Sequence, residues 1–137
     1  MLDYLSAAPD SLLGYRYAPG VRNFAEQIDH AASAAAFIVS QVVMGASPPA
    51  ALKGDTAVYL HDKAALRNHV NAQYDYVVNI LKTIPDSSLL AEKEGFKIRK
   101  AAWRWAESAR EHAVWTLGQT VPYMRNNKVR PPNFLPF

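Results

Sequence analysis

Arg22-Asn23-Phe-Ala-Glu26-Gln-Ile-Asp-His30, continued by the alanine-rich run Ala31–Ala36 to Met44-Gly45 and then Ser47-Pro48-Pro49, decides the fold class. Asn23 followed three residues later by Glu26 has the form of a capping box, in which each side chain accepts a backbone N–H that the first helical turn leaves unpaired. Alanine loses no side-chain entropy in a helix, so the run favours continued helix to about Met44. Gly45 then ends it, because glycine takes the left-handed conformation at a helix C-terminus and the prolines beyond cannot extend the ladder. Alternation of β-branched and polar residues is nearly absent from the chain, so its periodic segments read as helices.

Working outward, residues 46–60 read as a loop, and Asp62 as the N-cap of a second long helix with Leu66, Val70, Val77, Leu81 and Ile84 on one stripe, stopped by Pro85-Asp86. Residues 86–96 form a connection, with one helical turn expected at 87–92 and a break at Gly95. A last long helix is predicted from Lys97 to Arg125. Its stripe, Ile98, Ala102, Trp105, Ala109, His112, Thr116 and Gln119, points inward, and Pro122 should kink it. Trp103, Trp105 and Trp115 are expected in the core. Upstream, Pro19-Gly20 is a turn, and residues 2–8 read as a helical stub ended by Pro9-Asp10. The prediction is an all-α fold in one domain over residues 1–137, with three long helices and a stub where a fourth helix would cover their apolar faces. Either the stub suffices, the first helix has been shortened, or a second chain supplies the cover, and a homodimer is expected.

The 137 residues include no cysteine, which excludes disulfides, thiolate metal sites and cysteine nucleophiles. The formal charge is +3, yet Lys97, Arg99, Lys100, Arg104, Arg110, Arg125, Lys128 and Arg130 supply eight of the fifteen basic residues in the last third. No nucleic-acid motif accompanies them, and Glu92, Glu94, Glu107 and Glu111 lie among them, so they read as a solvated helix face and no nucleic-acid partner is expected. No apolar run approaches a membrane span and no signal peptide is evident, so the expectation is a cytoplasmic protein without a membrane partner. Neither a serine–histidine–acid set nor a phosphate-binding loop is present.

His30 and His112 lie on two predicted helices and could supply imidazole to one first-row metal if those helices are neighbours. His69 on the middle helix reads as structural, and His61, ahead of a helix start, as exposed. Glu26 lies one turn before His30, but its capping role explains it better than metal binding. Asp29 and Glu111 adjoin the histidines and project about 100° away from them. Tyr123 and Arg125 are expected to hold the tail Pro131-Pro132-Asn-Phe-Leu-Pro-Phe.

Residues 22–30 resemble the segment leading into the first metal histidine of the DinB superfamily. His112-x-x-x-Thr116-x-Gly118-Gln119, Tyr123-Met124-Arg125 and Pro131-Pro132 resemble that family's final-helix signature, His-x-x-x-His-x-Gly-Gln, then Tyr-Leu/Met-Arg and Pro-Pro. The resemblance covers residues 10–132 and implies a four-helix bundle, here with a shortened first helix. It also implies a divalent-metal site (Ni, Zn or Fe) of three histidines, used in some members for thiol-dependent transfer or related hydrolase-like chemistry on small molecules. His30 and His112 match two ligand positions, and Thr116 stands at the third. A neutral hydroxyl is a poor ligand for metals that prefer imidazole. Two readings therefore stay open: a weakened metal enzyme, or a binding or structural module that kept the fold and lost the site.

Overall fold

In a computed structural model, described here for residues 1–133, the chain forms seven α-helices and one β-hairpin among those residues. They are α1 (Leu2–Ala7), α2 (Phe24–Ile38), α3 (Thr56–Tyr59), α4 (Lys63–Thr83), α5 (Asp86–Leu90), β1 (Glu92–Gly95), β2 (Ile98–Ala101), α6 (Ala102–Gly118) and α7 (Val121–Asn126). Three long helices dominate, and α2 is the central one, packed against both α4 and α6. Ala31, Ala32, Ala35 and Ala36 are buried in these contacts, since their small side chains let neighbouring helices approach closely.

The capping box at the start of α2 is complete. The Glu26 N–H donates to Asn23 Oδ1 and the Asn23 N–H to Glu26 Oε2, both at 2.8 Å. Beyond Ile38 the helix widens into a π-helical stretch, Val39–Met44, and ends at Gly45 with φ of 70°. Ser40, fully buried there, bonds the Ala46 carbonyl and the Tyr76 hydroxyl, so it ties the end of α2 to α4. Asp62 caps α4 through the Ala65 N–H at 2.7 Å, as its sequence predicts.

The all-α expectation is corrected by the hairpin. Residues 97–101 were expected to open the last helix, but β1 and β2 pair antiparallel with Gly95 opposite Ile98, and α6 begins only at Ala102. Phe96 and Lys97 make the turn with φ of 50° and 64°. A two-residue turn with both φ positive matches the right-handed strand twist but is usually built from Asn-Gly or Gly-Gly, so Phe-Lys carries no hairpin signal. Tertiary contacts hold it instead. Trp105 Nε1 donates to the Lys93 carbonyl at 3.1 Å, and the Lys100 ammonium sits 4.1 Å from the Trp105 ring centre. A Cβ on Gly95 would lie 2.8 Å from Val42, so only glycine lets β1 approach α2 this closely.

Further expectations change. Ile98 lies on the hairpin and is exposed, and of the tryptophans only Trp105 is buried, Trp115 being 67 % exposed. Residues 46–60 contain a 3₁₀ turn (Ala50–Lys53) and α3. Pro122 does not kink a continuous helix. Instead α6 ends at Gly118 and Pro122 sits in the first turn of α7, where a missing N–H costs nothing. Among the described residues Tyr123 holds the segment before α2: its hydroxyl donates to the Arg22 carbonyl at 2.6 Å and its ring meets Tyr17 edge-on at 4.8 Å. Arg125 does lie beside Pro131 and Pro132, while the expectation for residues 134–137 falls outside the described residues.

Candidate metal centre

α2 and α6 present His30 and His112 to each other with ring centres 5.1 Å apart and planes at 82°. His30 lies near the middle of α2 and His112 near the middle of α6, so rigid helix positions both. The separation is that of an edge-to-face ring contact. It is also close to the about 5 Å expected of two imidazoles sharing one tetrahedral metal at about 2.0–2.1 Å per bond.

The polar atoms around the pair separate these cases. His112 Nδ1 and Thr116 Oγ1 are buried and have no hydrogen-bond partner. A helical threonine usually returns its hydroxyl to the carbonyl one turn back, and this one does not. Leaving such a group unpaired costs about 1–3 kcal/mol, so two orphans one turn apart on the same helix mark a place for a missing partner. Beside them Gln27, buried on α2, donates to Gln119 Oε1 at 2.8 Å and more weakly to the Thr116 carbonyl at 3.4 Å. This crosslink sets the spacing of α2 and α6 one turn from the histidine pair.

Burial, the Arg22 guanidinium and the His112 ring together hold His30 below the ordinary imidazole value, against the opposing pull of Asp29. His30 is therefore neutral near pH 7, the form in which imidazole ligates metal. Glu26 is committed elsewhere. Burial works against its charged form, but the Asn23 N–H and Arg16, whose guanidinium is 2.8 Å away, still hold its carboxyl below the usual range. Asp29 turns to α4, where His69 Nε2 meets Oδ1 at 2.9 Å and Tyr59 stacks on the His69 ring at 4.0 Å. Glu111 and His61 are exposed.

The donor set thus fits two ligand positions and stops there. Among the described residues no group of three or more His, Cys, Asp or Glu side chains could hold a metal ion. The third position on α6 is the Thr116 hydroxyl, 1 % exposed.

The family model of the DinB superfamily matches residues 1–119. The chain belongs to the DinB superfamily. The match takes in the DinB positions His30, His112, Thr116 and Gly118-Gln119, whereas Tyr123-Met124-Arg125 and Pro131-Pro132 lie beyond it. No curated protein matches the chain. Among the described residues, no helix is long and apolar enough to cross a membrane.

Sequence reasoning found both histidines of this DinB protein by helical spacing and family pattern. It missed the Asp29–His69–Tyr59 cluster, which joins three elements distant in sequence. It also missed that residues 48–53 line a cleft together with His30, because Ser47-Pro48-Pro49 reads only as a stop signal. Burial and the Asp29 carboxylate push the Tyr59 hydroxyl up to about 12. The fold therefore favours protonated Tyr59, and the stability this contributes is complete below pH 10 and lost as pH rises towards 12. Burial raises Tyr74 and Tyr123 as well, so wild type should weaken through all three groups. Urea unfolding between pH 9 and pH 12 is expected to show a shallower fall for Tyr59→Phe than for wild type, and parallel curves would refute the assignment.

Proposed function

We propose that this DinB-superfamily protein carries a weakened divalent-metal centre on His30 and His112, open to a small-molecule substrate such as a thiol. The observation that carries this reading is the orphaned Nδ1 of His112, on a ring 5.1 Å from that of a second imidazole held neutral. Nickel, zinc or iron bound there would supply Lewis acidity and lower the pKa of a coordinated water or thiol. The chain's own residues bind and orient. His30 and His112 donate imidazole nitrogen from opposing helices, Thr116 offers a hydroxyl to whatever completes the shell, and the Gln27–Gln119 bond fixes the helix spacing. His30 also lines a cleft, which gives the centre access to solvent on the α2 side.

Tag-free protein loaded with excess zinc or nickel and desalted is expected to retain metal measurably, and His30→Ala or His112→Ala to abolish retention. Retention equal in both variants and wild type would sink the proposal. Thr116, together with the absence of a third ligand among the described residues, favours a second reading, a non-catalytic module that kept the fold. On that reading wild type retains no metal, and the two alanine variants change stability alone.

A homodimer is the partner state that accompanies either reading. An apolar groove of 900 Å³ runs between α4 and α6, floored by Ala35 and flanked by Val70, Val77 and Val114, with Glu107 and Arg110 at its edge. A second copy related by a two-fold axis would cover this apolar face with its own. Light scattering should find dimer at high micromolar concentration and more monomer for Ala113→Glu. A wild-type monomer at that concentration contradicts it.

A further inference from the structure

The cleft that His30 lines has a volume of 530 Å³, within the usual range for small-molecule sites. One wall is α2, with Ser33, Ala34 and Phe37. The other is the segment Pro48–Lys53. That second wall is fixed from beneath. Buried Gln73 donates to the Leu52 carbonyl at 2.6 Å, and past Gly54 the chain is held by Tyr59 stacked on His69, which is itself paired to Asp29. A cavity whose walls are held by buried polar contacts is preformed, so a ligand entering it loses little to ordering the protein.

Its chemistry is asymmetric. Phe37, Pro48, Pro49 and Leu52 make an apolar surface; among the described residues no acidic side chain lines it, and Lys53 is the one lysine or arginine that does. The Lys53 side chain makes no hydrogen bond or ion pair among the described residues, so none of them neutralises its ammonium. We infer that this cleft binds small monoanionic amphiphiles of the aryl- or alkyl-carboxylate class. The apolar body lies on Phe37 and the Pro48-Pro49 edge and the acid faces Lys53. One anionic group is matched because there is one free cation, and a flat or branched apolar body is matched because proline and phenylalanine offer rigid faces. The end of the ligand away from Lys53 meets His30, and only that part of the inference rests on the metal-centre reading. Binding itself requires no metal.

The test uses EDTA-treated full-length protein and amide NMR, with 3-phenylpropionate as probe and 3-phenylpropionamide as its uncharged counterpart. A ligand of this size is expected to bind in the millimolar range, within reach of titration to about 10 mM. Saturable shifts of the Ser33, Phe37, Leu52 and Lys53 amides are expected with the acid. The amide should bind about three- to fivefold more weakly, the worth of one exposed charge pair. Lys53→Gln should bring the acid down to the level of the amide, and Phe37→Ser should weaken both; both positions are exposed, so the variants keep the fold. The inference is overturned if the acid shifts none of these amides without metal, if acid and amide bind alike, or if Lys53→Gln leaves the preference for the acid intact. Because metal is absent throughout, these outcomes are independent of metal retention.

Discussion

Thr116→His is expected to tighten zinc or nickel binding by about 100-fold. Zinc sites in small peptides contribute about 10–16 kcal/mol in total, so one of four ligands corresponds to about 3 kcal/mol, or two orders of magnitude in affinity. The site can accept the change because α6 already directs Thr116 inward, one turn from His112, with its hydroxyl unsatisfied. Competition against a chromophoric chelator measures the affinity directly and needs no assay of activity. An increase that disappears in Thr116→His combined with His30→Ala would show that the new imidazole acts with the old pair. An affinity unchanged by Thr116→His would mean that Thr116 does not face the site shared by the two histidines.

Trp105→Ala should be among the most destabilising single changes, at about 3–5 kcal/mol. Trp105 is 4 % exposed and joins the hairpin to the helical body in three ways. Its ring packs beside Val39, Val42 and Ala109, its Nε1 bonds the Lys93 carbonyl, and its face receives the Lys100 ammonium. Trp105→Phe keeps most of the apolar area but loses the hydrogen bond to the Lys93 carbonyl, and should cost about 1 kcal/mol. Urea midpoints give both values, and amide exchange in 92–101 should accelerate more than in α2. A loss below 1 kcal/mol for Trp105→Ala would show that the hairpin contributes nothing to the fold's stability. Trp105 lies two turns from His112 on α6, so metal retention of the Trp105→Phe variant should match wild type.

The helices were legible where their signals are local. Asn23, Glu26, Gly45 and Asp62 each act on backbone groups within five residues, and the structure places caps and stops there. Helical spacing likewise put His112 and Thr116 on one inward face. The hairpin was not legible, because Phe96-Lys97 is a poor choice for a turn with positive φ and is held by Trp105, nine residues on. Pro122 was misjudged for a related reason. A proline inside a periodic pattern signals either a kink or a fresh start, and the choice depends on whether the preceding residues can end a helix. Here buried Thr120 bonds back to the Leu117 carbonyl at 2.7 Å, and the chain restarts.

What sequence alone determined, then, is the presence of three long helices, the family, and the identity of two imidazoles with a hydroxyl where a third would stand. Each of these depends on residue type and on spacing within one element. Only tertiary structure decided that the imidazoles meet at 5.1 Å, that His112 Nδ1 and Thr116 Oγ1 are left without partners, and that Asp29 serves His69 rather than the site. Those facts depend on how α2, α4 and α6 lie against one another. Helix packing sets that arrangement through contacts between residues far apart in the chain, which no local pattern records.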